Sequence, residues 1–514
     1  MTKLIKNIII VGGGTAGWLT AGVLASTIKS MYGADSINIT LIESPSIEPV
    51  GVGEGTWPTM RNTLRKMGVS ELDFIRSCDV SFKQGSKFCQ WNNDNYSNSY
   101  YHPFSLPQDF NESNLAWHWM AKDYEISFSE LVSPQEVICE HHMAPKQIST
   151  PEYAFVCNYG YHLDAGLFAK FLKDYCLNKL KINYISDDVL SVLSDLKNND
   201  IKALNTSKNG VVNGDLFVDC TGRSALLIGK HYQVPFISKK DTLFIDSALA
   251  VQVPYIDDES PIASVTLSTA QEAGWIWDIG LYSRRGVGHV YASEYISEEK
   301  AKQQLLDYIK KTNKNSKKID EQSIKKIVFE PGYREVFWKN NCVAVGLSAG
   351  FVEPLEASSL ALVEISANMI AQQLPQTRQG MDVIAQRFNE RLLHHWQSTI
   401  DFLKLHYVLS QRDTGMFWRD NRELSSIPES LTRLLNIWQE QVPWHYDFDR
   451  IQMFPSASYQ YVLCGMGFKS QLHIRPSIIQ ETSAVSHFNL VQQQTAQCLS
   501  RLKQNRTFLK EIRE

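Results

Sequence analysis

The residues best placed to do chemistry lie near the start of the chain. Gly12, Gly14 and Gly17 fall on the spacing G-x-G-x-x-G, with Thr15 and Ala16 between the last two. Ile8-Ile9-Ile10-Val11 precedes them, the continuous β-branched run expected of a parallel strand buried on both faces. An apolar helix through Leu19, Val23, Leu24 and Ile28 follows. Such glycines permit a tight turn and close backbone approach to a pyrophosphate, whose charge the helix N-terminus stabilises. A second strand, Ile37 to Ile42, ends at Glu43, where a carboxylate can accept both ribose hydroxyls. An acid there disfavours a 2′-phosphate, which leaves FAD or NAD. Far downstream, Gly274-Trp275-Ile276-Trp277-Asp278-Ile279-Gly280 places two tryptophans two residues apart. On a strand they share one face, and their indoles are expected to form one flat aromatic wall.

The elements that must position these groups decide between the two cofactors. Pro49 to Thr56 is a glycine-rich strap carrying Gly51, Val52, Gly53 and Glu54. Asp215 to Arg223 and Cys342 to Gly350 are two more buried strands ending in small-residue turns, the latter containing Gly346. An NAD domain normally closes within about 150 residues, whereas turns this dispersed suit an extended FAD. Residues 182–217 alternate apolar and polar, with turn signals at Asn198-Asn199-Asp200 and Lys208-Asn209-Gly210, which predicts an antiparallel meander. Residues 242–292 read as a further β-rich region. From Ala361 onward helices dominate, one long amphipathic helix carrying the stripe Ile384, Phe388, Leu392 and Trp396, continued by Phe402, Leu403 and Tyr407. The expected fold class is α/β: a Rossmann-type, flavoprotein-monooxygenase-like FAD domain with an antiparallel β meander and a C-terminal helical cap. Residues 1–380 would form the FAD and β-sheet module, and 381–514 a helical substrate cap docked tightly on it.

Composition excludes several classes. A net charge of −4 over 514 residues, with no basic helical face, argues against nucleic acid. No apolar run approaches the roughly 20 residues that span a bilayer, and no leader pattern precedes the first strand. A cytoplasmic protein is expected. The nine cysteines include no Cys-x-x-Cys pair, and the doublets His141-His142 and His394-His395 point their side chains apart, so no metal is expected.

Over nearly its whole length the chain resembles the flavin-dependent tryptophan halogenases. The resemblance rests on the glycine loop followed by Trp18, on Ile42-Glu43-Ser44-Pro45, and on Gly51-Val52-Gly53-Glu54. It rests also on Ser81 to Phe88, on Phe351-Val352-Glu353-Pro354-Leu355-Glu356, and on Trp275-x-Trp277-x-Ile279. It implies an FADH2-dependent halogenase that uses O2 and chloride or bromide to form hypohalous acid, with reduced flavin supplied by a separate NAD(P)H-dependent reductase. It implies Lys83 as the catalytic lysine, delivering the halogen by hydrogen bonding or as a haloamine. Glu356 is then the carboxylate that orients the acid and takes the ring proton. Backbone N–H groups of Ser358 and Ser359 would hold the halide, although Ala357-Ser358-Ser359 stands where the family has Ser-Thr-Gly. His102 and Phe104 would stack on a small aromatic substrate: tryptophan, free indole or a larger indole compound. Trp275 and Trp277 would wall off the flavin compartment, with Gly280 in place of the usual proline loosening the strand end. The resemblance also admits a homodimer. The alternatives are an FAD monooxygenase that hydroxylates its substrate, or a non-catalytic flavin-binding relative.

Overall fold

Ile8-Ile9-Ile10-Val11 forms the centre of a six-stranded sheet, as its uninterrupted β-branching requires. Strand Asn7–Val11 pairs in parallel with Asn38–Glu43 on one side and Leu216–Asp219 on the other. Asn183–Ser186 and Cys342–Ala344 extend the sheet in parallel, and Trp338–Lys339 closes one edge antiparallel. The helix Thr15–Tyr32 packs on it between the helices Ala165–Asn178 and Ser358–Gln372. The computed structural model describes all residues except 1–3, 34–35, 48–52, 94–97, 123, 314–319, 449 and 475. The predicted meander is present as Val189–Ser194, Ile201–Thr206 and Gly210–Asn213. Its turns need left-handed backbone, which Asn199 (φ 60°) and Gly210 (φ 69°) supply.

Two further sheets carry the site. A seven-stranded sheet runs in the order Lys325–Val328, Ser247–Pro254, Arg284–Tyr291, Gly274–Gly280, Thr266–Gln271, Gly85–Cys89, Ser99–Pro103. A three-stranded sheet joins Gly53–Gly55, Gly160–Asp164 and Ser81–Lys83. Only Gln84 separates the last strand of the small sheet from Gly85–Cys89 of the large one. The chain therefore crosses from one sheet to the other beside Lys83. Gly85 (φ 154°) makes this crossing feasible, since a Cβ there would lie 2.4 Å from the His102 carbonyl oxygen.

The structure departs from the sequence pattern at three places. Trp275 and Trp277 are neighbours but not a flat wall: their rings are 6.5 Å apart and inclined at 64°. Edge-to-face contact suits the aromatic quadrupole better than a shared plane. Trp277 lies over Gly288, where a Cβ would come within 2.1 Å of its ring. The strand end at Gly280 is also not loose, because the Ser81 hydroxyl donates to the Gly280 carbonyl at 2.5 Å. The helix predicted around Ile384 to Trp396 spans Arg378–Val408. Its stripe holds only for the first half. From Ser398 to Tyr407 every residue is buried, polar ones included, because the helix runs beneath the rest of the fold. The terminal helix Asn505–Arg513 returns to the strand Ser81–Lys83, with Arg506 donating to the carbonyls of Ser260 and Tyr282. Among the described residues no helix is long and apolar enough to cross a membrane.

Candidate functional site

The glycine loop is built for close approach by a dinucleotide. A Cβ at Gly12 would lie 2.1 Å from the Cys220 carbonyl, and one at Gly17 would lie 1.9 Å from the Gly12 carbonyl. At Gly14, by contrast, a Cβ would meet nothing within 4 Å. Thr15 and Ala16 begin the helix, whose first turn has no side-chain cap and no acid, so its N–H groups remain available to an anion. Glu43 bonds Lys173 at 2.5 Å and Tyr184 at 2.8 Å through Oε2. Its Oε1 faces the Gly13 backbone, where a Cβ would come within 2.3 Å. Gly346 (φ 72°) seats the third turn against the Ala16 methyl. Asp219 ties the turns together, accepting from the Leu227 and Ile228 amides and from the Thr221 and Ser348 hydroxyls. Packing and open donors together fit an extended FAD. Of the strap, Gly51 and Val52 lie outside the described residues. Gly53 and Glu54 pair with Asp164 and Leu163. Burial, then the Asp164 charge, pushes the Glu54 carboxyl up to about 7.

Lys83 sits at the crossing between the sheets, 1 % exposed. Its ammonium is 3.1 Å from where a Gly55 Cβ would stand and 5.4 Å from the centre of the Phe104 ring. Gly55 therefore leaves the room that Lys83 occupies. Burial pulls Lys83 down to about 8, against the opposing pull of the Glu356 charge. Glu356 is equally buried. His102 Nδ1 donates to its Oε1 at 2.8 Å, His406 Nε2 lies 3.3 Å from the same oxygen, and the Ser86 hydroxyl donates to Oε2 at 3.4 Å. Burial alone would raise this carboxyl, but the charge and hydrogen bond of His102, joined by His406, outweigh it and hold Glu356 at about 2. A buried lysine and a permanently ionised carboxylate thus share one compartment.

The segment after Glu356 is shaped for an anion. Ala357 takes the left-handed conformation (φ 54°, ψ 40°) before the helix Ser358–Gln372, whose first turn has neither a side-chain cap nor an acid. The amides of Ser358 and Ser359 open that helix. The Ser358 hydroxyl is buried with no hydrogen-bond partner among the described residues. Trp57, just beyond the strap, donates its indole N–H to the Glu356 carbonyl at 2.7 Å. The two amides and the unpartnered Ser358 hydroxyl, but not the committed Trp57 N–H, are donors that fit a halide.

A cavity of about 130 Å3 opens against this cluster, lined by Trp57, His102, Phe104, Leu106, Glu356, Met453, Phe454, Ser458 and Tyr461, among others. His102 commits both nitrogens to protein, since Nε2 lies within hydrogen-bond distance of the Ser458 hydroxyl, at 2.9 Å. The structure therefore brings Lys83, Glu356, His102 and Phe104 together, with Ser358 and Ser359 beginning one residue beyond. Trp275 stands off from the cavity: its N–H donates to Glu353 Oε2 at 2.8 Å, as does the Tyr407 hydroxyl at 2.7 Å. Burial lifts Glu353 to about 7. A larger open cleft of about 480 Å3, lined by Arg76, Asp79, Asp164, Arg284 and Arg513 among others, contains none of these catalytic candidates. Trp57, Ser86, Glu353, His406 and Phe454 escaped sequence reasoning. Only Glu353 had a signal, an acid embedded in the apolar run Phe351 to Leu355.

The sequence profile of the tryptophan halogenase family matches residues 7–477. The tryptophan 6-halogenase ThaL of Streptomyces albogriseolus is 32% identical over 441 residues, covering 82% of this chain and 80% of its own. The crystal structure of a tryptophan halogenase from Shewanella frigidimarina NCIMB 400 superposes with a TM-score of 0.95 at 48% identity, covering 99% of this chain and 98% of that one. BrvH, a flavin-dependent halogenase from Brevundimonas sp. BAL3, superposes with a TM-score of 0.86 at 30% identity, covering 99% of each chain.

Proposed function

Since this chain belongs to the tryptophan halogenase family, and is a flavin-dependent enzyme that halogenates an indole ring with reduced flavin from a separate reductase, we propose that Lys83 is its general acid and Glu356 its base. The observation behind this is a buried cation lying in the field of a buried, ionised carboxylate that lines an aromatic cavity, with Phe104 of the same lining 5.4 Å from the ammonium. Reduced FAD, when bound, would supply hypohalous acid from O2 and halide, giving up two electrons and leaving oxidised FAD and water. The Lys83 ammonium hydrogen-bonds the oxygen of that acid and gives it a proton as the ring carbon takes the halogen, so water leaves rather than hydroxide. Glu356 then accepts the proton from the substituted ring carbon, and solvent exchange resets the pair. With Lys83 at about 8, the ammonium outnumbers the amine roughly tenfold at pH 7. The acid role is therefore the populated one, ahead of the haloamine route. Enclosure by Trp57, Phe104 and Phe454 keeps water from competing.

The cavity also bears on the substrate. Its histidine and carboxylate, His102 and Glu356, are bonded to each other, and the rest of the lining is apolar or aromatic apart from the hydroxyls of Ser105, Ser458 and Tyr461. Recognition then works through ring faces, with no charged group in the lining besides Glu356, which His102 already engages. We place free indole, or an indole carried by a larger molecule, ahead of free tryptophan. The test is product mass spectrometry with FAD, a reductase, NADH and either halide. A kcat/KM at least tenfold higher for indole supports the reading, and a preference for tryptophan reverses it.

Halide handling is the second finer point. The unpartnered Ser358 hydroxyl would add a side-chain donor to the amides, and a hydrogen bond to a charge contributes about 1.5–3 kcal/mol. Ser358→Ala is expected to raise the KM for halide by about tenfold or more, leaving kcat at saturating halide within about twofold. Halide titrations with chloride and bromide read both the effect and the preference.

A further inference from the structure

Glu356 is held from several elements, and its two histidines are not equivalent. His102, on strand Ser99–Pro103, lines the cavity, so an incoming ring presses directly on it. His406 approaches the same oxygen from the wholly buried part of the helix Arg378–Val408 and does not line the cavity. Its ring is 4.6 Å from Phe88 and 5.3 Å, edge-on, from Phe402. Nothing entering the cavity displaces it.

Its proton is also placed. The Tyr100 hydroxyl lies 2.6 Å from His406 Nδ1. Burial lifts the Tyr100 phenol well above its usual range and lowers the His406 imidazole, so the phenol keeps its proton and the ring is neutral. A neutral imidazole carries one N–H. Were it on Nδ1, the Nε2 lone pair would face the Glu356 carboxylate at 3.3 Å, a repulsive contact. With Tyr100 donating to Nδ1, the N–H sits on Nε2 and faces Oε1. Its angle falls short of a hydrogen bond, and it has no other partner among the described residues. The contact is therefore electrostatic, and the dry surroundings strengthen it.

We infer that His406, oriented by Tyr100, is a positioning residue that keeps Glu356 ionised and aimed until it takes the ring proton. The sequence assigns it no role, and none of the motifs contains it. Other titratable groups facing Glu356 are Lys83 from strand Ser81–Lys83 and His102, and those facing His406 are Tyr100, Glu356 and His102. Lys404, two residues earlier on the same helix, bonds Asn421 and acts on Glu353 instead.

The test is the pH dependence of kcat, at saturating indole and halide, for the wild type, H406Q, H406F and Y100F. The wild type should show no acid limb down to pH 5.5. H406F removes the donor, so Glu356 titrates higher: the midpoint of its acid limb, followed down to about pH 3.5, should lie about one unit or more above that of the wild type. H406Q restores an N–H donor and should return the flat profile, and Y100F should shift the limb the same way by less. An H406F profile parallel to the wild type overturns the inference, as does a loss that H406Q shares in full. If H406F does not fold, Y100F decides: a shifted acid limb supports the role, and an unshifted one overturns it. The inference rests on Glu356 as the base. A Glu356→Gln enzyme with full rate would sink that reading separately, whatever the His406 variants do.

Discussion

Lys83→Met is expected to cut halogenated product by about a hundredfold to ten-thousandfold, the usual contribution of a positioned acid, while oxygen uptake continues. Methionine keeps the buried length and removes only the proton donor, and Lys83 lies apart from the glycine loop that would hold the flavin. Hypohalous acid would then escape, so a halogen scavenger in solution should be modified in place of indole. Equal loss of scavenger product would instead place the defect at the flavin. The same group sets the basic limb of the wild type. As an acid, Lys83 works when protonated, so the rate should fall roughly tenfold per pH unit above about 8. A haloamine route gives the opposite sign, a rise up to about 8. Stability follows as well. The folded pKa lies below the free value, so burying Lys83 costs the fold below about pH 8, and that cost fades as pH rises toward 10.5. At pH 7 it is on the order of 3 kcal/mol, an upper bound once local relaxation is counted. Lys83→Met should therefore melt higher than the wild type at pH 7, while making no product.

The parts of this site that were legible in the sequence are those encoded by local pattern. The strand Ile8 to Val11, the glycine spacing and the acid at Glu43 lie within one βαβ unit, where period and turn chemistry report directly on structure. The meander was readable for the same reason. Lys83 and Glu356 were visible only through the segments around them, since a lone lysine or a glutamate near a helix start is usually a solvated charge. His406, Trp57 and Ser86 were not visible at all. Each belongs to an element whose sequence describes its own face, and what makes it functional is the crossing of two sheets over a third segment. His406 shows the physical limit most clearly. A helical period reports one buried stripe, but here the helix is enclosed on all sides from Ser398 to Tyr407, so Asp401, Lys404 and His406 read as outward-facing residues when they are core. The tilt of Trp275 against Trp277 was hidden likewise, because it depends on Gly288 across the strand and on Glu353 three residues before Glu356.

Glu356→Gln should lower kcat by about a hundredfold to a thousandfold, leaving the KM for indole within a few-fold. The carboxamide matches the carboxylate in shape and can still accept from His102 Nδ1 through its carbonyl, so the cavity wall is kept. What it cannot do is take the ring proton. A second consequence separates this from a general loss of structure. The Glu356 charge is what raises Lys83 against the effect of burial, so removing it should move the basic limb of the residual activity below its wild-type position near 8. A variant that is slow but keeps its limb in place would mean that the two groups do not share a field. Stability gives the third check. Glu356 is depressed from 4.5 to about 2, so it stabilises the fold at pH values above 4.5, and that contribution disappears as pH falls through about 2. The full contribution is on the order of 3 kcal/mol. The variant should therefore melt below the wild type at pH 7, and the gap should narrow between pH 4.5 and 2. A gap that stayed constant over that range would place the loss in packing rather than in the ionised carboxylate, and the clamp of His102 and His406 would then have no charge to hold.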